Sequence, residues 1–350
     1  MILASKVFSQ DWINFFKLLM RAMAKNYRLD RVPLGLSWDS FVDKSEGSTI
    51  FSSSTYLVHT GCNIGLFHCY NANELRAAIV VIESPDGIHA ILDDFVIYGG
   101  LFFGPPMTGQ SESQKISEHF DLSTYIADKL AGQYQTISFS LAPAINDIRP
   151  FLWYKYAQEN VGCYRADIRY TSYLNIEDFK DAKKLEDISS FLNASVARRQ
   201  QIRYSRREGV IVEITQKVST LIDFYLMTME RQGEVILPKR LERMEKLISG
   251  LLEAQMAEMY VAKTKDGVAG SMAVFVFDSK RAYYLFGAND PAFRDTPLGT
   301  AVLWEAFYYL SKKGLNQVDL EGVNSPRRGW FKLSFGGTLL PYYQIGYSSP

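Results

Sequence analysis

VDLEGVNSPRRGWFKLSFGGTLLPYYQ, residues 318–344, is the stretch around which the rest of the chain is arranged. Val318 and Leu320 alternate with Asp319 and Glu321, the period of a strand with one apolar face. Gly322 ends that strand, and Asn324-Ser325-Pro326 opens a helix, because proline loses no needed amide at the first helical position. The short helix carries Arg327, Arg328, Trp330, Phe331 and Lys332. Gly336-Gly337 breaks it, since paired glycines reach backbone angles closed to other residues, and a tyrosine-bearing strand over 338–345 follows. On residue types alone, this is either a surface helix with its cations in water or a segment that gathers cations and aromatics for chemistry.

At 350 residues the chain exceeds what one hydrophobic core usually supports, so two domains are expected, 1–180 and 181–350. An apolar content of 47% and balanced charge, 38 basic against 38 acidic residues, describe an ordinary globular protein. Nothing in the overall charge draws it to nucleic acid, so such a contact needs a local patch. The three cysteines (Cys62, Cys69 and Cys163) show no metal or redox spacing, and no metal site is expected. No long apolar run suggests a signal peptide or membrane span, and the expected location is the cytoplasm.

Along the chain, an amphipathic helix is predicted over 9–23, then strands over 55–59, 64–70, 75–83 and 90–96. A helix over 111–133 and a strand over 136–141 follow. All four histidines (His59, His68, His89 and His119) fall in this first half. If the chemistry lies in the second half, its base is not histidine. Polar residues 175–187 mark the expected domain boundary.

A helix over 189–208 carries five arginines, of which Arg199, Arg203 and Arg206 share one face by the i, i+4, i+7 rule. That face is either solvated or an anion site, because guanidinium groups fork onto phosphates. Helices over 220–232 and 239–256 precede a hairpin, a strand over 282–288, and a helix that Thr296 can cap with Pro297 at its first position.

Gly329-Trp330-Phe331-Lys332, followed by Phe335-Gly336-Gly337, resembles the closing motif of the Fem-type aminoacyl transferases and of the related acetyltransferase domains of cell-envelope polysaccharide clusters. Both belong to the GNAT-like superfamily. Arg149-Pro150-Phe151-Leu152-Trp153, the basic helix before Gly209-Val210, and Arg231-Gln232-Gly233 resemble further elements of the same pattern. The resemblance implies an α/β fold: two tandem GNAT-like domains, each a mixed sheet flanked by helices, with an interdomain cleft.

It also implies an enzyme that moves an acyl or aminoacyl group to an amine on a polysaccharide or peptidoglycan precursor. The expected donor is acyl-CoA as co-substrate, with aminoacyl-tRNA as the alternative and no tightly bound cofactor. A catalytically inactive module that binds glycans or nucleotide sugars is the rival reading. By the resemblance Lys332, beside Phe331, lies by the transferred acyl group. Asp319, Glu321 and Tyr284 are the candidates to take the proton of the attacking amine. In GNAT enzymes a helix N-terminus holds the CoA pyrophosphate on its amides, and Thr296, Gly299, Thr300 and Ala301 occupy that position here. Thr296 departs from the usual Gln or Arg, and Pro297 brings no amide. Arg199, Arg203, Arg206, Arg327, Arg328 and Trp330 are the expected substrate- and anion-binding residues.

Overall fold

The computed structural model describes residues 27–158 and 161–349, which divide into two units. The helix expected over 9–23 lies outside the described residues.

The first unit comprises residues 27–48, 63–167 and 343–349. The chain enters through β1 (Tyr27–Arg31) and α1 (Leu36–Lys44). It then leaves for the second unit, where α2 (Ser54–His59) replaces the strand expected over 55–59. Ser53 accepts a bond from the Tyr56 amide at 3.2 Å and so caps a helical turn, while Tyr56 and Leu57 are fully buried. Back in the first unit come β2 (Asn63–Asn71), β3 (Glu74–Glu83), β4 (His89–Ile91), β5 (Gly100–Phe103), α3 (Glu112–Gln133), β6 (Thr136–Ser140) and α4 (Arg149–Leu152). The strand expected over 90–96 is cut short because Asp93 accepts the Phe95 amide at 3.0 Å and turns the chain.

β1, β2, β3 and β4 pair antiparallel in that order, β5 also pairs with β3, and β4 runs parallel to β6. Residues 344–348 close the sheet antiparallel to β6. Ser111 and Gln114 form a capping box at the start of α3, whose Leu122, Ile126 and Leu130 join Phe67, Ile79 and Phe139 in one core. The first-unit histidines serve this packing: His68 stacks on Trp38 and His119 on Phe103, while the His89 ring bonds the Thr136 hydroxyl.

The second unit comprises residues 49–62 and 168–342. β7 (Cys163–Asn175) begins in the first unit and ends in the second. The division falls inside this strand and not in the polar stretch 175–187. Ile176, Phe179 and Leu185 are buried there, and Ile188 just after it, which makes that stretch part of a core. After it come α5 (Ser189–Asn193) and α6 (Val196–Arg207), where one helix was expected. Ala194 and Ser195 are extended between them, and Ser195 caps α6 by accepting the Arg198 amide at 3.2 Å.

β8 (Ile211–Ile214), α7 (Val218–Arg231), α8 (Pro238–Glu253), β9 (Ala257–Lys263), β10 (Ala269–Phe277), β11 (Ala282–Asn289) and α9 (Leu298–Lys312) follow. The chain ends with β12 (Gln317–Asp319), α10 (Pro326–Leu333) and β13 (Thr338–Ser348), the last finishing in the first unit. The sheet runs β7-β12-β11-β10-β9-β8, with β12 parallel to β11 and every other pair antiparallel. α9 lays Val302, Leu303, Phe307 and Leu310 on Tyr260 and Phe275, with Phe179 against Trp304 at 4.8 Å. A mixed sheet flanked by helices is therefore the architecture of this unit, as the alternation of elements predicts.

Candidate active site

Two buried carboxyl groups and a half-buried lysine meet where β12 ends. Asp319 is fully buried and accepts bonds from the Thr171 hydroxyl of β7 and, at 2.8 Å, from the Glu321 amide. Glu321 stands in the left-handed region (φ 48°), uncommon for a residue with a side chain, and Gly322 follows at φ 41°. This tight exit from the strand leaves the Glu321 side chain buried, and its Oε1 finds no hydrogen-bond partner among the described residues. Ser172 Oγ and Arg169 Nε, both on β7, are likewise buried and unpartnered.

Lys332, from α10, completes the cluster. Its Nζ donates to the Glu321 carbonyl at 3.0 Å and stands 4.9 Å from the centroid of the Tyr284 ring on β11. A side chain at Gly322 would place its Cβ 3.4 Å from that nitrogen. α10 is seated by two glycines. A Cβ at Gly329 would lie 2.5 Å from the Val323 carbonyl oxygen, and one at Gly337 would lie 2.4 Å from Ser172 Oγ.

Burial sets the protonation of this cluster. It pushes Lys332 down to about 8, because a desolvated ammonium loses its hydration. It raises the Glu321 carboxyl well above the usual carboxylate range, helped by the negative charge of Asp319. One cation cannot neutralise two buried carboxylates, so the Glu321 carboxyl holds its proton more tightly than a free one does. The Tyr284 phenol is raised by burial alone and stays protonated.

Arg198 organises the neighbouring helix start. Its guanidinium donates to Ser334 Oγ at 2.9 Å and to the Thr300 hydroxyl, and lies 4.3 Å and 4.6 Å from the Phe331 and Phe335 ring centroids. Burial lowers it to about 10, and among the described residues no carboxylate pairs with it. The four residues expected to hold a CoA pyrophosphate divide unequally. The Thr300 and Ala301 amides already donate to the Pro297 carbonyl at 3.1 Å and 2.9 Å, and the Thr296 hydroxyl donates to Phe293. Gly299 keeps its amide, as does Leu298. Among the described residues the helix start thus leaves two amides unbonded near the Arg198 guanidinium, in place of a full amide cradle.

The remaining expected residues scatter. Arg199 donates to the Leu192 carbonyl, and Arg203 pairs with Glu186 at 3.1 Å over the Phe191 ring. These two line one cavity of about 350 Å³. Arg206 lines a different one, so the shared helix face does not become a single site. Arg327 is in the first turn of α10, Arg328 donates to Gln232 at 2.5 Å, and Trp330 is 75% exposed. The sequence reading missed Thr171, Ser172, Arg169 and the part played by Arg198. The β7 residues reach the site across more than 140 positions, a separation that no local pattern signals.

Among the described residues no group of three His, Cys, Asp or Glu is placed to hold a metal, and no helix is long and apolar enough to cross a membrane.

Residues 194–327 match the acetyltransferase (GNAT) domain family. The match runs from α6 into α10 and stops before Lys332. The fold is similar to that of FemX over 90% of this chain and 96% of FemX, with 14% identity and a TM-score of 0.61. It is also similar to a tandem GNAT protein from the clavulanic acid biosynthesis pathway, at 10% identity, 92% and 98% coverage and a TM-score of 0.50. No curated protein matches the sequence. Residues 194–327 therefore resemble a GNAT acetyltransferase domain, and the fold of the chain is similar to those of FemX and of a tandem GNAT protein.

Proposed function

We propose that this protein is an N-acyltransferase that moves an acyl or aminoacyl group to an amine on a cell-envelope precursor, a polysaccharide or a peptidoglycan unit, with acyl-CoA as donor. The observation that carries the reading is the half-buried Lys332, held between the Glu321 carbonyl and the Tyr284 ring beside a carboxyl of raised pKa. The donor supplies a thioester, whose carbonyl carbon forms the new C–N bond as the C–S bond breaks. Protonated Lys332 stabilises the negative charge that gathers on the carbonyl oxygen. Glu321, in its ionised form, accepts the proton that the attacking amine must lose. The amides of Leu298 and Gly299, with Arg198, would hold the donor's diphosphate.

The commitment of the Thr300 and Ala301 amides favours a second reading, in which the donor is aminoacyl-tRNA. Single-turnover transfer from acetyl-CoA and from aminoacyl-tRNA, each against a panel of amino-sugar and peptide amines, separates the two. Product from acyl-CoA supports the first reading, and product from charged tRNA alone supports the second. No product from either donor leaves the binding-module reading.

A further inference from the structure

Away from the Lys332 cluster, a cavity of about 290 Å³ opens between α6, the turn at 182–184 and the C-terminal half of α9. Its size is at the lower end of ligand pockets, which run about 300–1,000 Å³. Lys183, Lys184, Arg206 and Lys312 converge on it, against one carboxylate, Glu305. In a chain with no net charge this is a local excess. The cations are poorly neutralised: Arg206 stands 3.7 Å from Glu305, and Lys184 is 3.9 Å from Asp187. Among the described residues Lys183 and Lys312 make no ion pair.

The arrangement is built rather than incidental. The Asp187 carboxylate accepts the amides of both Lys183 and Lys184 at 3.1 Å, which fixes the turn that carries them. The Tyr308 hydroxyl accepts a bond from Arg206 at 3.1 Å and orients that guanidinium. Burial raises the Glu305 carboxyl and so weakens the one opposing charge that lines the cavity. Four cations brought together from three elements repel one another unless an anion joins them, and phosphate oxygens suit both ammonium and guanidinium donors. The cavity shares no residue with the acyl-transfer cluster. Tyr308 lies nine residues along α9 from Gly299, about 14 Å at the helical rise.

We propose that this cavity is a second anion site that takes a phosphate ester carrying at least two negative charges, either a small-molecule diphosphate or adjacent phosphodiesters of an RNA strand. The test is titration calorimetry at near-physiological salt with two probes, inorganic pyrophosphate and a short unstructured RNA. Three proteins are compared: wild type, the triple variant Lys183→Ala/Lys184→Ala/Lys312→Ala, and Glu305→Gln. The three lysines are exposed, so the triple variant folds, and a thermal melt checks it.

Wild type should bind at least one probe saturably, and the triple variant should weaken that binding about tenfold or more. Glu305→Gln should strengthen it several-fold by removing the opposing carboxylate. Binding of pyrophosphate alone assigns the site to a small diphosphate, and binding of RNA alone assigns it to a backbone. Saturable binding of neither probe overturns the proposal, as does wild-type affinity in the triple variant or weaker binding by Glu305→Gln. None of these results depends on whether the Lys332 cluster transfers acyl groups.

Discussion

Lys332→Met separates what this lysine does for chemistry from what it does for the fold. The Met side chain has nearly the same length and no charge. If the ammonium faces the developing oxyanion, its loss should cost about 3 kcal/mol in the transition state, a hundredfold or more in kcat. Stability should respond differently. The lysine falls from its ordinary 10.5 to about 8 in the folded protein, so holding it charged costs about 3 kcal/mol at neutral pH. Against this stands its bond to the Glu321 carbonyl, a hydrogen bond to a charged group worth about 1.5–3 kcal/mol. The two nearly cancel, and Lys332→Met should melt within a few degrees of wild type or slightly above it. The sign can also be read in the wild type. Between about pH 8 and pH 10.5 the unfolded chain binds more protons at this lysine than the folded one, so this group makes stability rise with pH across that window. Single-turnover transfer and a thermal melt on the same preparations decide the matter. Turnover at the wild-type level, or a loss of activity explained by an equal loss of folded protein, would refute the reasoning.

Three further outcomes follow from the same geometry. The form active in transfer has Glu321 ionised and Lys332 protonated, so kcat should rise through the raised pKa of Glu321 and fall above about pH 8; Glu321→Gln should lose the ascending limb, and a flat profile in wild type would contradict the assignment. Arg198→Ala removes two hydrogen bonds and two cation–ring interactions and should lower stability by about 2–3 kcal/mol, read by denaturant titration; a change below about 0.5 kcal/mol would mean that the site does not rely on this residue. Arg199→Ala with Arg203→Ala should weaken binding of a phosphate-bearing substrate by about 1.5–3 kcal/mol for each guanidinium removed and flatten its salt dependence, and unchanged affinity at low salt would return this face of α6 to a solvated role.

Much of the second unit is legible in its residues. The period-two run from Val318 to Leu320, the helix start at Pro326 and the stop at Gly336 are enough to outline β12, α10 and β13, because each is set by local chemistry. Lys332, Glu321, Asp319 and Tyr284 lie together in the structure, because β11 and β12 pair side by side although α9 separates them in the chain. The break at Ala194-Ser195 is harder to see, since neither residue forbids a continuous helix and only the Ser195 cap reveals it. Residues 175–187 read as a domain boundary because their charges outnumber Ile176, Phe179 and Leu185, yet those three are residues that pack. The three arginines in register draw attention to one face of α6. Arg198, off that register, is the one whose neighbours are Phe331 and Phe335. Packing between elements far apart in sequence decides such cases, and helical spacing carries no trace of it.

The way the chain is shared between the two units has a consequence for its synthesis. The first unit takes its closing strand from residues 344–348, and the second takes α2 from the stretch 49–62. A ribosome releases the chain from its N-terminus, so the sheet of the first unit stays open at β6 until residues 344–348 emerge. Meanwhile α2, with its buried Tyr56 and Leu57, waits for α8, some two hundred residues downstream. Neither unit can mature before the other is nearly made. A gene cut at the middle of the chain would therefore give two fragments that each lack a piece of their own core, and recovery of folded protein should require both halves in the same cell.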